Sequence, residues 1–444
     1  MGRQIKKIYF VSIIQCVLLI VLYALLYVYK NDPLLVGAFI YSLFLGFFLM
    51  KKKMKDLYLN DTALIFLLFL VLYGCFNSII QLVMLGRIDL DVYKSTIIYA
   101  LTVPSYLLGW SIRSPKTPTY VLHSEQLLRS SKRRGYNNLL TILLTILILY
   151  KSYFFYSVNM FFNISGLQKS RYELFDNVSQ ADVVIGLLIS GIFLYFIYFH
   201  QQLSIRNRGI VIFLLLYYVL LQLGAGNRRD FMPMLLGMGW LFVNYKKIKF
   251  NFVWLVLSLL GITFFNYLGT IRASLLSDDV KSDAMVSTMT SNEFVYPFFT
   301  LNEEVSQYIR NDNYDFKYGE TIITYPIIMF IPRAIYEDKP RSLAAQFVVD
   351  KYGRRGQMGY AYTPVSEFFI NFGVLGPFFC YFIIGYFIAR IQKKRNQILN
   401  FVFFTMILDF CRGEMGTFFY QFVFIALFIY VLPGLKKYVF YLKN

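Results

Sequence analysis

TALIFLLFLVLYGCFNSIIQLVMLG, residues 62–86, contains no charged side chain. Its apolar residues form one continuous block rather than a pattern with helical or strand period. About 18 or more such residues are long enough to cross a bilayer core of about 30 Å. Inside lipid only helices and closed barrels satisfy every backbone group. Barrel strands alternate over about ten residues, and this block does not, so it reads as a transmembrane helix.

Comparable blocks occur on either side, at Ile8–Tyr29, Val183–Ile205, Phe250–Ile271, Phe368–Ala389 and Met415–Leu435, with shorter ones between them. Read together they predict an all-α integral membrane protein of about twelve spans. These lie near 8–29, 33–50, 62–86, 95–112, 136–158, 181–203, 209–226, 231–245, 250–271, 364–389, 397–412 and 415–435. The first block has a basic start but no small-residue cleavage site after Tyr29, so it is read as a span and not as a removed signal peptide. Three regions follow: helices 1–9 over 1–271, a long extracytoplasmic loop with short helices over 272–363, and helices 10–12 over 364–444.

The chain has 444 residues, of which 57% are hydrophobic and 16% charged, with a net charge of +19. Soluble domains carry about 25% charged residues. The excess of positive charge lies in clusters after every second span: Arg3/Lys6/Lys7, Lys51–Lys53 with Lys55, Arg113 to Arg134, Arg206/Arg208, Lys246/Lys247/Lys249, Arg390 to Arg395, and Lys436/Lys437/Lys443. These segments hold 25 of the 44 Lys and Arg but only 3 of the 25 Asp and Glu. That asymmetry is the positive-inside bias, and it places both termini in the cytoplasm. Nucleic-acid binding is excluded, because no basic domain exists to do it. Cys16, Cys75, Cys380 and Cys411 fall in or beside spans with no metal spacing and read as packing residues. Lys151, late in the fifth span, is expected to snorkel outward.

The sharpest polar feature is Gly224-Ala225-Gly226-Asn227-Arg228-Arg229-Asp230-Phe231-Met232-Pro233. Two arginines stand at the outer mouth between two spans, where positive charge is otherwise sparse. Asn227 or Asp230 suits an N-cap and Pro233 a first helical turn. The next apolar stretch, Phe231–Tyr245, is only about 22 Å long as a helix, so its start should sit within the outer leaflet. Free amides, a helix dipole and two guanidinium groups then meet at one point and favour a phosphate or diphosphate. The competing reading is that both arginines reach lipid head groups.

The outer loop carries acidic patches at Asp278/Asp279/Asp283 and Glu303/Glu304. It also has an apolar stretch, Ile322–Ile331, too short to span and read as interfacial or re-entrant. Arg333, Lys339 and Arg341 follow. The helix returning to the membrane begins Thr363-Pro364-Val365-Ser366-Glu367-Phe368-Phe369-Ile370-Asn371-Phe372-Gly373. Glu367 and Asn371 share a face, and a carboxylate at the edge of an apolar helix is costly without a partner or a task. The alternative is an interfacial Glu facing water. Asp409 and Arg412 are spaced as a structural ion pair, with Glu414 as a loop acid. The only histidines, His123 and His200, fall on the cytoplasmic side, so no outer imidazole serves as a base. No nucleotide loop, CxxC pair, HExxH helix or acidic metal cluster is visible. No cofactor and no metal are expected.

Three segments in order resemble the oligosaccharide repeat-unit polymerases, the Wzy-type O-antigen and capsule polymerases of bacteria. They are Gly226-Asn227-Arg228-Arg229-Asp230-Phe231, then Ile331-Pro332-Arg333 with Lys339-Pro340, then Ser366 to Gly373 with Gly376. The resemblance implies a metal-independent glycosyltransferase of GT-C-like architecture in the bacterial inner membrane. Its substrates would be undecaprenyl-diphosphate-linked oligosaccharides, and a Wzz-like chain-length regulator and a flippase are the partners implied. On this reading Arg228 and Arg229, with Arg333, Arg272 or Arg412, hold the diphosphate. Lys339, Arg341 and Asn371 complete the substrate site. Glu367, or else Asp230 or Glu414, orients or deprotonates the acceptor hydroxyl. O-antigen ligases resemble the chain in architecture but use an outer-loop histidine, which is missing. A flippase or other carrier would place charges along a central cavity and show inverted repeats. A membrane acyltransferase would need a catalytic histidine. Neither pattern is present.

Overall fold

The computed structural model describes residues 2–54, 57–113, 134–157, 180–224, 230–251, 253, 295–311, 313–331, 335–353, 361–393 and 397–441. Among them the regular structure is helical, with one isolated antiparallel bridge between Tyr58 and Lys249. The first eight helices are α1 (Gly2–Val28), α2 (Asp32–Lys53), α3 (Thr62–Leu85), α4 (Leu90–Arg113), α5 (Arg134–Ser157), α6 (Gln180–Tyr198), α7 (Ile205–Gly224) and α8 (Met232–Lys246). Three shorter ones follow: α9 (Val295–Arg310), α10 (Glu320–Ile328) and α11 (Leu343–Tyr352). The last five are α12 (Pro364–Phe372), α13 (Leu375–Lys393), α14 (Gln397–Thr405), α15 (Ile407–Arg412) and α16 (Met415–Tyr441).

Six described helices are long and apolar enough to cross a membrane: α2, α3, α4, α5, α7 and α13. Apolar stretches of α1, α6 and α16 are shorter. Two of the expected spans are broken. The stretch 364–389 divides at Gly373, whose φ of +65° turns the chain between α12 and α13. The stretch 397–412 divides at Met406 into two helices of nine and six residues. The expected span 250–271 lies almost wholly outside the described residues.

Local chemistry sets the helix ends. Asn31 caps α2 by accepting the Leu34 amide at 3.0 Å, with Pro33 in the first turn. Asp61 caps α3 through the amides of Ala63 and Leu64. Gly86 closes α3 at φ +67°, a left-handed geometry open to glycine at no steric cost.

Only about a third of the α5 span is buried, whereas α4, at the centre of the bundle, is buried over most of its length. Its chief neighbour is α13. Gly109 faces the Phe382 carbonyl and Gly385 faces the Tyr106 carbonyl so closely that any Cβ there would collide with backbone. Close approach at small residues is how helices associate where lipid removes the hydrophobic incentive. Ser105 adds a hydrogen bond to the Phe378 carbonyl.

At the expected cytoplasmic end the crossing is locked by buried polar contacts. Trp110 Nε1 donates to Gln392 (3.1 Å), Gln392 donates to Asp61 (3.2 Å), and Thr62 donates to Asn400 (2.8 Å). Lys151 differs from its expected position. It is buried, with Nζ 5.4 and 5.5 Å from the Phe154 and Phe155 ring centres, where two aromatic faces offset its loss of water.

Helix α9 lies against the expected outer end of α4. Ser306 and Arg310 both donate to Asp91 (2.6 and 3.2 Å), and Ser95 donates to Asn302 (3.2 Å). The segment after residue 295 therefore meets the bundle beside the α3–α4 turn.

Candidate functional site

Helix α12 starts in a self-contained way: Thr363 accepts the Ser366 amide (3.3 Å) and Pro364 occupies the first turn. Ser366 Oγ meets Thr363 Oγ1 at 2.9 Å and Thr300 Oγ1 of α9 at 3.1 Å. This cap seats α12 against α9 and turns its fourth residue, Glu367, inward. Glu367 is 0% exposed. Its Oε2 accepts the Met415 amide, the first of α16, at 2.6 Å. Its Oε1 meets no donor in good hydrogen-bonding geometry, although the Thr321 hydroxyl lies beside it. A fully buried carboxylate with an unsatisfied oxygen is a costly arrangement and the strongest polar anomaly in this region of the chain.

A turn further on, Asn371 is also 0% exposed and makes three bonds. Its Oδ1 accepts the Gly319 amide (2.8 Å), and its Nδ2 donates to Thr321 Oγ1 and to the Glu367 carbonyl (both 2.6 Å). The shared helix face expected for Glu367 and Asn371 is present, and it points to the protein interior, not to water.

Glu414, the residue immediately before α16, has a similar role. It accepts the Leu343 amide, which opens α11, and the Thr417 hydroxyl at 2.5 Å. Two carboxylates thus stand at two helix starts, where the helix dipole favours negative charge. The same contacts bring Arg341, two residues before Leu343, and Arg412, two residues before Glu414, to this neighbourhood. Lys339 Nζ donates to the carbonyls of Met329 and Ile331, both at 3.0 Å. It therefore closes the end of α10, where a cation meets the negative helix terminus. Asp230 lies instead at the α7–α8 turn, where Gln222 donates to it at 3.4 Å. Arg228, Arg229, Arg272 and Arg333 fall outside the described residues. Among the described residues no three of His, Cys, Asp and Glu converge as metal ligands would.

A second carboxylate comes from the acidic patch Glu303/Glu304, which the sequence does not mark as a site. Glu304 of α9 accepts the phenol hydroxyls of Tyr314 (2.7 Å) and Tyr362 (2.9 Å). Burial raises its pKa above the ordinary 4.5, and the two phenols oppose that shift. Its neighbour Glu303 pairs with Lys351, whose Nζ lies 4.5 Å from the Phe299 ring centre. Thr300, one turn before Glu304, is the residue that meets Ser366, so both carboxylates border the α9–α12 contact. The one available signal was that Glu304 sits on the same face of α9 as Thr300; its tyrosine partners are ten and 58 residues away.

Comparison with known proteins bears on the family of the chain. The chain matches two curated proteins named O-antigen polymerase, from Salmonella typhimurium (strain LT2) and Salmonella typhi. Each is 26% identical over 178 residues, covering 34% of this chain and 43% of the relative. The match therefore spans less than half the length of these relatives. No solved structure matches. The family model for the O-antigen polysaccharide polymerase Wzy matches residues 8–444, and the chain belongs to that family.

Proposed function

We propose that the chain polymerises undecaprenyl-diphosphate-linked oligosaccharide repeat units on the outer face of a bacterial cytoplasmic membrane, both termini being cytoplasmic. The acceptor hydroxyl, at the non-reducing end of an incoming lipid-linked unit, attacks the anomeric carbon of the growing glycan. A new glycosidic C–O bond forms, and the C–O bond to the diphosphate breaks. The diphosphate oxygen leaves with the electron pair, and the hydroxyl proton passes to Glu367. Arg228 and Arg229, together with Arg272, Arg333, Arg341 and Arg412, hold the diphosphate and stabilise the charge that develops on it. No metal enters this scheme. The product is an O-antigen or capsule glycan, with a chain-length regulator and a flippase as partners in the same membrane.

The observation that carries this reading is Glu367 itself, fully buried and with one oxygen uncommitted, on the segment whose sequence resembles the family. The family membership supports glycan polymerisation, and the positive-inside bias supports the outward orientation.

The test is complementation of a host deleted for its own polymerase, followed by gel analysis of surface glycan. The wild-type chain should restore a ladder of repeat units, whereas Glu367→Gln should leave single units at an unchanged protein level. A normal ladder from Glu367→Gln removes this residue as the base. Absence of any ladder from the wild-type chain overturns the polymerase reading.

A further inference from the structure

One exposed aromatic carries backbone strain. Tyr318 has φ +43°, one of two non-glycine residues at positive φ among those described, and its side chain is 81% exposed. A bulky residue rarely adopts this conformation, and glycine would adopt it freely. The strain is held from below. Lys317 N donates to the Ile370 carbonyl (2.9 Å), and Gly319 N donates to Asn371 (2.8 Å). Two left-handed glycines interlock the turns: the Phe372 ring lies against Gly319 (φ +90°), and the Phe316 ring lies against Gly373 (φ +65°). The buried Asn371 that bonds the Glu367 carbonyl is thus the residue that fixes the pose of Tyr318.

Aromatic rings continue beside it. Phe316 lies 6.4 Å from Tyr318, 5.0 Å from Tyr314 and 5.8 Å from Tyr308, between ring centres. Phe372 and Tyr308 are exposed as well. Tyr314 in turn donates to the Glu304 carboxylate. Flat rings with hydroxyl tips next to a carboxylate suit a pyranose, whose C–H face covers an aromatic ring while its hydroxyls meet polar groups.

We infer that Tyr318, with Phe316, Tyr308 and Phe372, forms a stacking platform for sugar rings of the glycan, leading from the surface to the Glu367 site. This deepens the polymerase reading and rests on it. The competing occupant of such rings is the bilayer interface, where tyrosines also gather.

Three variants test the platform in the complementation host. Tyr318→Gly removes the ring and relieves the backbone, so it should fold at least as well as wild type. Its ladder should shorten, with single units rising at least tenfold. Tyr318→Phe and Tyr318→Trp should restore the ladder. A normal ladder from Tyr318→Gly, beside a normal wild-type ladder, overturns the platform and leaves the polymerase reading standing; no ladder from the wild type overturns that reading itself.

The occupant is read from Tyr318→Trp in nanodiscs, as its fluorescence difference from the wild-type chain. The probe is lipid-free polysaccharide released from the complemented cells. A polysaccharide-dependent change of emission, with no quenching by brominated lipid, supports a glycan site. Quenching by brominated lipid with no response to polysaccharide makes Tyr318 a bilayer anchor and overturns the proposal.

Discussion

Glu367 Oε2 accepts the backbone N–H of Met415 at 2.6 Å, across 48 residues of chain. The acid of α12 is thereby bonded to the first amide of α16, and the residue before that amide, Glu414, is bonded to the first amide of α11. Asn371 repeats the pattern with Gly319, the residue before α10. Three helix starts therefore meet around α12, each held by a side chain from another element. The chemistry proposed for Glu367 and the mechanical coherence of this end of the molecule depend on the same contacts.

These two roles separate by substitution. Glu367→Gln keeps an oxygen for the Met415 amide and removes the basic one. Polymerisation should fall by about 10²–10⁴, the usual contribution of a general base, with thermal stability nearly unchanged. Glu367→Ala leaves the Met415 amide unpaired and should in addition cost about 1–3 kcal/mol. Melting curves of the two purified variants, set beside their glycan ladders, make the distinction. Equal melting losses with an intact ladder would mean that Glu367 serves only as an anchor.

Arg228→Ala and Arg229→Ala should each lower polymerisation by about 10²–10³, the loss seen when one donor to a developing negative charge is removed. Membrane insertion should be unaffected, because both residues lie in the sequence between the expected spans 209–226 and 231–245. The measurement is ladder intensity normalised to chain level in isolated membranes. Full activity of the double variant would end the diphosphate assignment.

Glu304 predicts a pH effect with a definite sign. Burial raises its pKa in the folded chain above the ordinary 4.5. Its contribution to stability is therefore fully present below pH 4.5 and is lost as pH rises through the raised value. Melting temperature of the wild-type chain should fall over that interval relative to Glu304→Gln, whose amide does not ionise. Parallel pH profiles of the two proteins would contradict this.

The α4–α13 crossing should tolerate no side chain at its closest points. A Cβ on Gly385 collides with the Tyr106 carbonyl and one on Gly109 with the Phe382 carbonyl. Backbone cannot yield as a flexible side chain does, so Gly385→Ala should destabilise by at least the about 1–3 kcal/mol typical of overpacking. Gly37, with open space around its Cβ position, is the control, and Gly37→Ala should leave the yield of monodisperse protein unchanged.

Much of this was legible without coordinates. The residues of 62–86 can satisfy lipid only as a helix, so their identity as a span follows from solvation alone. The charge clusters give an expected orientation in the same way, since both are one-dimensional properties of the chain in a layered solvent. The motif at 366–373 was legible as well, together with the shared face of Glu367 and Asn371, because helical spacing is local. Other features required the folded chain. The stretch 364–389 breaks at Gly373, where the Phe316 ring packs from another segment, and hydropathy is blind to such a break. That Glu367 meets Met415, Lys339 closes α10, and Glu304 holds two tyrosines depends on which distant elements approach. A side chain's partner is chosen by tertiary geometry, and no period or composition in the sequence encodes it.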